Sequence, residues 1–263
     1  MSVEDRPRFK KLELRDRLFQ RRHLVPNVVT LGNMFCGFLT IIYSAQGRFG
    51  SAAIAIGIAI LLDGLDGRVA RRLNATSEFG VEFDSFSDLV SFGVAPAILM
   101  YHWCFQPRAD EFGVLVCFVF ALCAATRLAR FNITSETLKS FEGLPTPGAA
   151  GMIAALVHLS PIIETTTALT AFGSLLTLSL AFLMVSKVKF FSLKHLKLKD
   201  VYLPGSLSLG LIIALIWYHS GIGFVLLASG YCLSGPVGYL KKKKVGATDP
   251  NQSEQDLKTK KAE

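Results

Sequence analysis

The sequence predicts an all-α integral membrane protein: a bundle of eight spanning helices with both chain ends on the cytoplasmic side. Three observations carry this expectation. Of 263 residues, 51% are hydrophobic and 18% are charged, an unusual balance for a water-soluble globule. The apolar residues gather in runs of about twenty, the length needed to cross a hydrocarbon core. The basic residues border those runs, as topology signals and lipid-headgroup contacts do. The net charge of +8 is therefore read as membrane contact, and with no DNA- or RNA-binding motif in the chain, nucleic acid is not an expected partner.

Residues 1–26 are basic and sparsely apolar. Phe9, Leu12, Leu18 and Phe19 can share one face of a short interfacial helix with Lys and Arg opposite. The first span is expected at about 27–45, entered through Pro26-Asn27. The second, about 50–72, is cleanly apolar only from Ser51 to Leu62. That is too short to cross a bilayer, so the helix must continue through Asp63 and Asp66. The third, about 83–105, mirrors it with its polar half first, and a fourth covers 112–132. Pro145, Pro147 and Gly148 then break the chain before spans at 148–163 and 166–186. After a lysine-rich connection come 203–219 and 222–240, and 241–263 reads as a disordered charged tail.

With eight spans and cytoplasmic termini, inside segments and membrane ends take all but two of the 28 Lys and Arg residues. Only Arg48 and Arg108 fall outside. The motif Asn-x-Thr at Asn74 and Asn132 would face the cytoplasm, so glycosylation is not expected there. Cys36, Cys104, Cys117, Cys123 and Cys232 show neither disulfide nor zinc-ligand spacing and read as small buried hydrophobes. The five histidines are scattered without ligand spacing.

The exception to the apolar pattern is acidic. Asp63 and Asp66 are three apart and Asp84 and Asp88 four apart, so each pair shares one helix face. The topology brings both pairs to similar depth near the cytoplasmic side. Ionisable residues inside spans are costly and mark function by default. Four clustered carboxylates need protons, cationic partners or metal, and Arg68, Arg71 and Arg72 are near in sequence. All-oxygen ligation suits Mg²⁺ or Mn²⁺; several carboxylates can hold two such ions, which in turn would bind a diphosphate. Gly64, Gly67 and Ala70 remove bulk beside the acids, although close helix packing also asks for small residues. A cation transporter is a second class, but its sites usually lie near the midplane between repeats. A membrane prenyltransferase also pairs aspartates with Mg²⁺ and diphosphate, at different acidic spacings.

The full spacing is Asp63-x2-Asp66-Gly67-x2-Ala70-Arg71-x8-Gly80-x3-Asp84-x3-Asp88. It resembles the signature of the CDP-alcohol phosphotransferase family of membrane enzymes. Three further stretches are similar to the phosphatidylserine synthase branch: Pro26-Asn27 through Thr30 to Asn33, Arg127-Leu-Ala-Arg130-Phe131-Asn132, and Gly143-Leu-Pro-Thr-Pro147. The resemblance, covering roughly residues 20–240, implies a six-helix core with two further spans, a homodimer, and a bacterial inner-membrane location with the active site facing the cytoplasm.

It also implies roles. Asp63, Asp66 and Asp84 would ligate a two-metal centre, with Asp88 at its edge or also ligating and acting as general base. Asn27, Thr30, Gly67, Ala70, Arg71 and Gly80 would receive the CDP-lipid. Arg127 and Arg130 can be ordinary cytoplasmic flanking charges, but with Phe131 and Asn132 the resemblance assigns them to L-serine. The implied reaction moves the phosphatidyl group of CDP-diacylglycerol to serine and releases CMP. Glycerol 3-phosphate or inositol as acceptor, and an archaetidyl donor, are the alternatives within the family.

Overall fold

The computed structural model describes residues 24–73, 77–106, 111–134, 143–162, 166–188 and 219–248. The described residues are helical, with no strand among them. The helices are α1 Leu24–Ala45, α2 Phe49–Leu73, α3 Glu78–Phe105, α4 Glu111–Thr134, α5 Thr146–Leu159, α6 Thr167–Val185 and α7 Ser220–Thr248. Five of them, α1 to α4 and α6, are long and apolar enough to cross a membrane. The protein is an integral membrane helical protein. Of the basic segment expected at 1–26, residues 1–23 lie outside the described residues and 24–26 belong to α1; the span expected at 203–219 lies outside them up to residue 218.

Several bounds differ from expectation for local reasons. The third helix starts at Glu78 rather than near Phe83, because Ser77 caps it: the Gly80 N–H donates to Ser77 Oγ at 3.0 Å. Gly80 thus lies in the first turn of α3 and not in a connection. The fifth helix has 14 residues and stops at Leu159, giving a rod of about 21 Å, short of a full crossing. The last helix runs on through Lys241–Lys244 to Thr248, past the boundary expected at Leu240.

The first two helices pair tightly through a short turn. Gly47 there adopts φ 71°, and the Arg48 guanidinium sits 4.6 Å from the centre of the Tyr43 ring. Ala52, Ala53, Ala55 and Ala59 are buried on α2, and small side chains are what allow backbones to approach closely where no hydrophobic force drives helix pairing. Outward, α1 exposes Val28, Leu31, Phe35, Phe38 and Ile42, and α2 exposes Ile54, Ile58, Leu61 and Leu65, stripes suited to lipid. The core between α3, α4 and α5 is built on Phe92, Leu99, Met100, Phe120 and Ile153. All five cysteines are free and four are buried.

The third helix is not uniform. Leu89–Val94 and Tyr101–Phe105 are π-helical, on either side of the α-helical Ala95–Met100. Pro96 has no N–H to give to the preceding turn, and a widened turn is one way a helix absorbs that loss. The first widened turn begins immediately after Asp88.

A second backbone requirement sits before α5. Gly143 and Leu144 donate N–H bonds to the carbonyls of Val188 and Leu183 at 2.9 and 3.0 Å. Gly143 has φ 84°, and a Cβ there would lie 2.2 Å from the Met184 carbonyl oxygen. Glycine alone fits, which ties the loop ahead of Thr146 to the end of α6.

Candidate active site

The site forms where the start of α1, the end of α2, the start of α3, the end of α4 and the start of α5 meet. Its first layer is a polar stripe on α1. Thr30, Asn33, Thr40 and Ser44 are buried at spacings of three to seven residues within an otherwise apolar helix. Two serines one turn apart on α3 bind that helix: Ser87 Oγ donates to the Thr30 carbonyl at 3.1 Å and Ser91 Oγ to the Asn33 carbonyl at 2.9 Å. Below them the helices touch backbone to backbone, since a Cβ on Gly37 would lie 2.7 Å from Ser91 Cα. The positions of Thr30 and Asn33 relative to α3 are set by these contacts.

Onto this frame the acids converge. One carboxylate oxygen from each of Asp63, Asp66 and Asp84 lies within 4.8 Å of the others, and Asp66 is buried. At that separation each ionised pair would repel by about 3 kcal/mol even at an effective dielectric near 20. Three such pairs rival the whole stability of a typical domain, so the cluster calls for a cation. Arg68 and Arg72 are exposed, leaving the neutralisation expected from them outside the buried face. Asp66 accepts from the Gly67 N–H, and the Thr30 hydroxyl lies 3.4 Å from Asp66 Oδ2. Asp88 lies within electrostatic reach of all three, and its Oδ1 accepts from Asn33 Nδ2 at 3.2 Å.

Among the described residues, three buried side-chain polar atoms have no hydrogen-bond partner: Asn33 Oδ1, Asp84 Oδ1 and Arg127 Nε. All three belong to this site. Buried polar groups are rarely left unmatched without a functional reason. A hard divalent cation fits: the donors are all oxygens, three carboxylates converge, and one Asp84 oxygen is unmatched.

Comparison with known families matches residues 23–191 to the CDP-alcohol phosphatidyltransferase family, a stretch that includes Asp63 to Asp88. The chain belongs to that family. Its α1 to α6 lie within the matched stretch and α7 lies beyond it. A CDP-diacylglycerol–serine O-phosphatidyltransferase of Helicobacter pylori strain J99 is 38% identical over 180 residues, 66% of this chain and 75% of that protein. One from Bacillus subtilis is 39% identical over 168 residues, covering 63% and 89%. An archaetidylserine synthase of Methanothermobacter thermautotrophicus is 38% identical over 164 residues, covering 62% and 64%.

The remaining family-motif residues fall into place unevenly. Gly80 faces α1: a Cβ on it would sit 3.4 Å from Asn27 Oδ1 and 3.0 Å from the capping Ser77 Oγ. Ala70 and Arg71 continue α2 past Gly67, where the backbone alone is described. Arg127 is half-buried; its Nη1 donates to Thr146 Oγ at 3.3 Å, and its charge interacts with Asp88. Asn132 pairs with Ser85, beside Asp84, by an Nδ2 to Oγ bond of 3.0 Å. Arg130 and Phe131 are exposed on the same helix end, so the structure divides the Arg127–Asn132 stretch between an inner and an outer face.

Asn33, Thr146 and the two serines carry no role in the sequence reading. The α1 stripe had a signal, since Asn27, Thr30 and Asn33 recur every three residues along one helical face. Thr146 falls in the Gly143–Pro147 stretch that carries the resemblance, which implied no role for it.

Proposed function

We propose that this protein transfers the phosphatidyl group of CDP-diacylglycerol to the hydroxyl of L-serine, releasing CMP. The observation that carries the reading is the convergence of three carboxylates with a fourth, Asp88, held by Asn33 and within electrostatic reach of a half-buried arginine. The names of the relatives from Helicobacter and Bacillus support serine as acceptor.

In this reading Asp63, Asp66 and Asp84, with Asp88 at the edge or also ligating, would hold Mg²⁺ or Mn²⁺, as two ions. Such cations would supply charge stabilisation for the diphosphate. Asn27, Thr30, Gly67, Ala70, Arg71 and Gly80 receive the nucleotide. Asn33 occupies Asp88 Oδ1, leaving Oδ2 to take the proton from the serine hydroxyl. The serine oxygen forms a bond to the phosphorus that bears diacylglycerol, the bond from that phosphorus to the bridging oxygen breaks, and CMP leaves. Arg127 faces the serine carboxylate, for which a guanidinium fork is suited; Arg130, Phe131 and Asn132 line the approach.

The same reading places eight spans in a bacterial inner membrane, both termini and the active site on the cytoplasmic side, and two copies in a homodimer. The test is purified protein with CDP-diacylglycerol, Mg²⁺ or Mn²⁺, and serine, glycerol 3-phosphate or inositol in separate reactions. CMP release with serine supports the assignment. Release only with another acceptor overturns it. A parallel arm with an ether-linked CDP-lipid reports the donor core.

A further inference from the structure

The last helix lies outside the stretch matched to the family, yet it reaches the site. It runs antiparallel to α5. A Cβ on Gly221 would lie 2.8 Å from Leu159 Cα at the end of α5, and Ser220 Oγ is 3.0 Å from His158 Nε2. About three turns further on, Tyr231 meets the start of α5, where a Cβ on Gly148 would lie 2.8 Å from its ring. Gly148 is two residues from Thr146, the hydroxyl that accepts from Arg127. Tyr231 is half-buried, and its phenol is within electrostatic reach of the Arg127 guanidinium. Arg127, already engaged with Thr146, keeps a buried Nε–H unmatched.

A donor of this kind, beside a phenol and a threonine hydroxyl, has the chemistry of a carboxylate receptor. Arg127 lies within electrostatic reach of Asp88, so the pair is matched in charge by an acceptor that offers a carboxylate to the arginine and a hydroxyl to the acid. Gly148 matters because it lets the tyrosine ring close over the start of α5; any side chain there would push it out.

We propose that α7 completes the acceptor subsite: Tyr231, with Arg127 and Thr146, receives the carboxylate of the amino-acid acceptor and sets its selectivity against acceptors that lack one. This inference rests on the serine reading. Tyr231 is a binding residue contributed from outside the family core.

The experiment is steady-state CMP release by the full-length protein, varying serine and CDP-diacylglycerol separately, with ethanolamine as the acceptor lacking a carboxylate. Tyr231→Phe keeps the ring on Gly148 and removes only the hydroxyl. Its KM for serine is expected to rise about tenfold, with the KM for CDP-diacylglycerol within about twofold, the effect of one hydrogen bond to a charged group. Gly148→Ala, which alters no polar group, should move the serine KM in the same direction by displacing the ring. Both variants should narrow the preference for serine over ethanolamine. An unmoved serine KM in both, or equal shifts for both substrates, overturns the proposal while leaving serine turnover by the wild type intact. If the wild type instead turns over only an acceptor with no carboxylate, the serine reading falls and this proposal with it.

Discussion

The side-chain amide of Asn33 on α1 donates to Asp88 Oδ1 on α3 at 3.2 Å, so the last acid of the motif is oriented by a helix that carries no acid. Asn33 is fully buried and is itself anchored through its carbonyl by Ser91. Removing the amide leaves Asp88 free to rotate. Asn33→Ala should lower kcat about 10- to 100-fold with a small change in the KM for CDP-lipid, the pattern of a misplaced base. Asn33→Asp should be worse, since it adds a like charge. A normal kcat in the alanine variant, measured by CMP release, would remove Asn33 from the mechanism.

Asp88 and Asp66 should separate in function. Asp88→Asn is expected to abolish turnover and largely keep CDP-lipid binding, because the group of three carboxylates remains. Asp66→Asn should weaken both. Binding of a fluorescent CDP-lipid alongside turnover distinguishes the two, and near-normal turnover by Asp88→Asn would show that the base lies elsewhere.

Metal and stability should be linked in a way that changes sign. In chelator, the convergence of Asp63, Asp66 and Asp84 is destabilising, so Asp84→Asn should unfold at a higher temperature than wild type. With saturating Mg²⁺ or Mn²⁺ the order should reverse, since a ligand at 100 times its Kd stabilises by about 2.7 kcal/mol. Thermal unfolding in detergent, with and without EDTA, reads this directly. The same chelation should remove activity and re-addition restore it.

Gly143→Ala is expected to destabilise by about 2 kcal/mol or more, combining the strain of a left-handed backbone with the close approach to the Met184 carbonyl. The loss should appear in the thermal midpoint. Some activity should go with it, because the loop positions Thr146.

Orientation can be read by labelling single cysteines in a variant lacking the five native ones. Positions beside Arg48 and Arg108 should react with an impermeant reagent from outside intact cells, and positions in 241–244 only after lysis. The opposite pattern would invert the proposed topology.

Much of this was legible in the chain because membrane and motif constraints act locally. Hydropathy placed α1, α2, α4 and α6 to within a few residues, and the Asp63 to Asp88 spacing located the acids on two helix faces. The start of α3 was misplaced because Phe83 looks like the first residue of an apolar run, whereas the Ser77 cap lets a polar turn precede it. The end of α5 is earlier than hydropathy suggests because Pro161 cannot continue the helix. Arg127 and Arg130 look alike in sequence; only packing against Thr146 makes one inward and leaves the other exposed. Tyr231 could not be connected to Arg127, since their electrostatic proximity spans about a hundred residues and depends on Gly148 facing the tyrosine ring.

The widened turn after Asp88 is also a phase shift. An α-helix advances about 100° per residue, and a π turn takes in one residue more than the α pattern needs. Asp84 and Asp88 therefore obey one angular register, and Phe92, Leu99 and Met100, packed in the core, obey another. The chemistry and the scaffold share a helix without sharing a register. Because the widened turn absorbs the extra residue, deleting one residue between Leu89 and Val94 would restore a regular helix with both carboxylates still facing Asp63 and Asp66, whereas deleting one between Asp84 and Asp88 would turn those two acids about 100° apart.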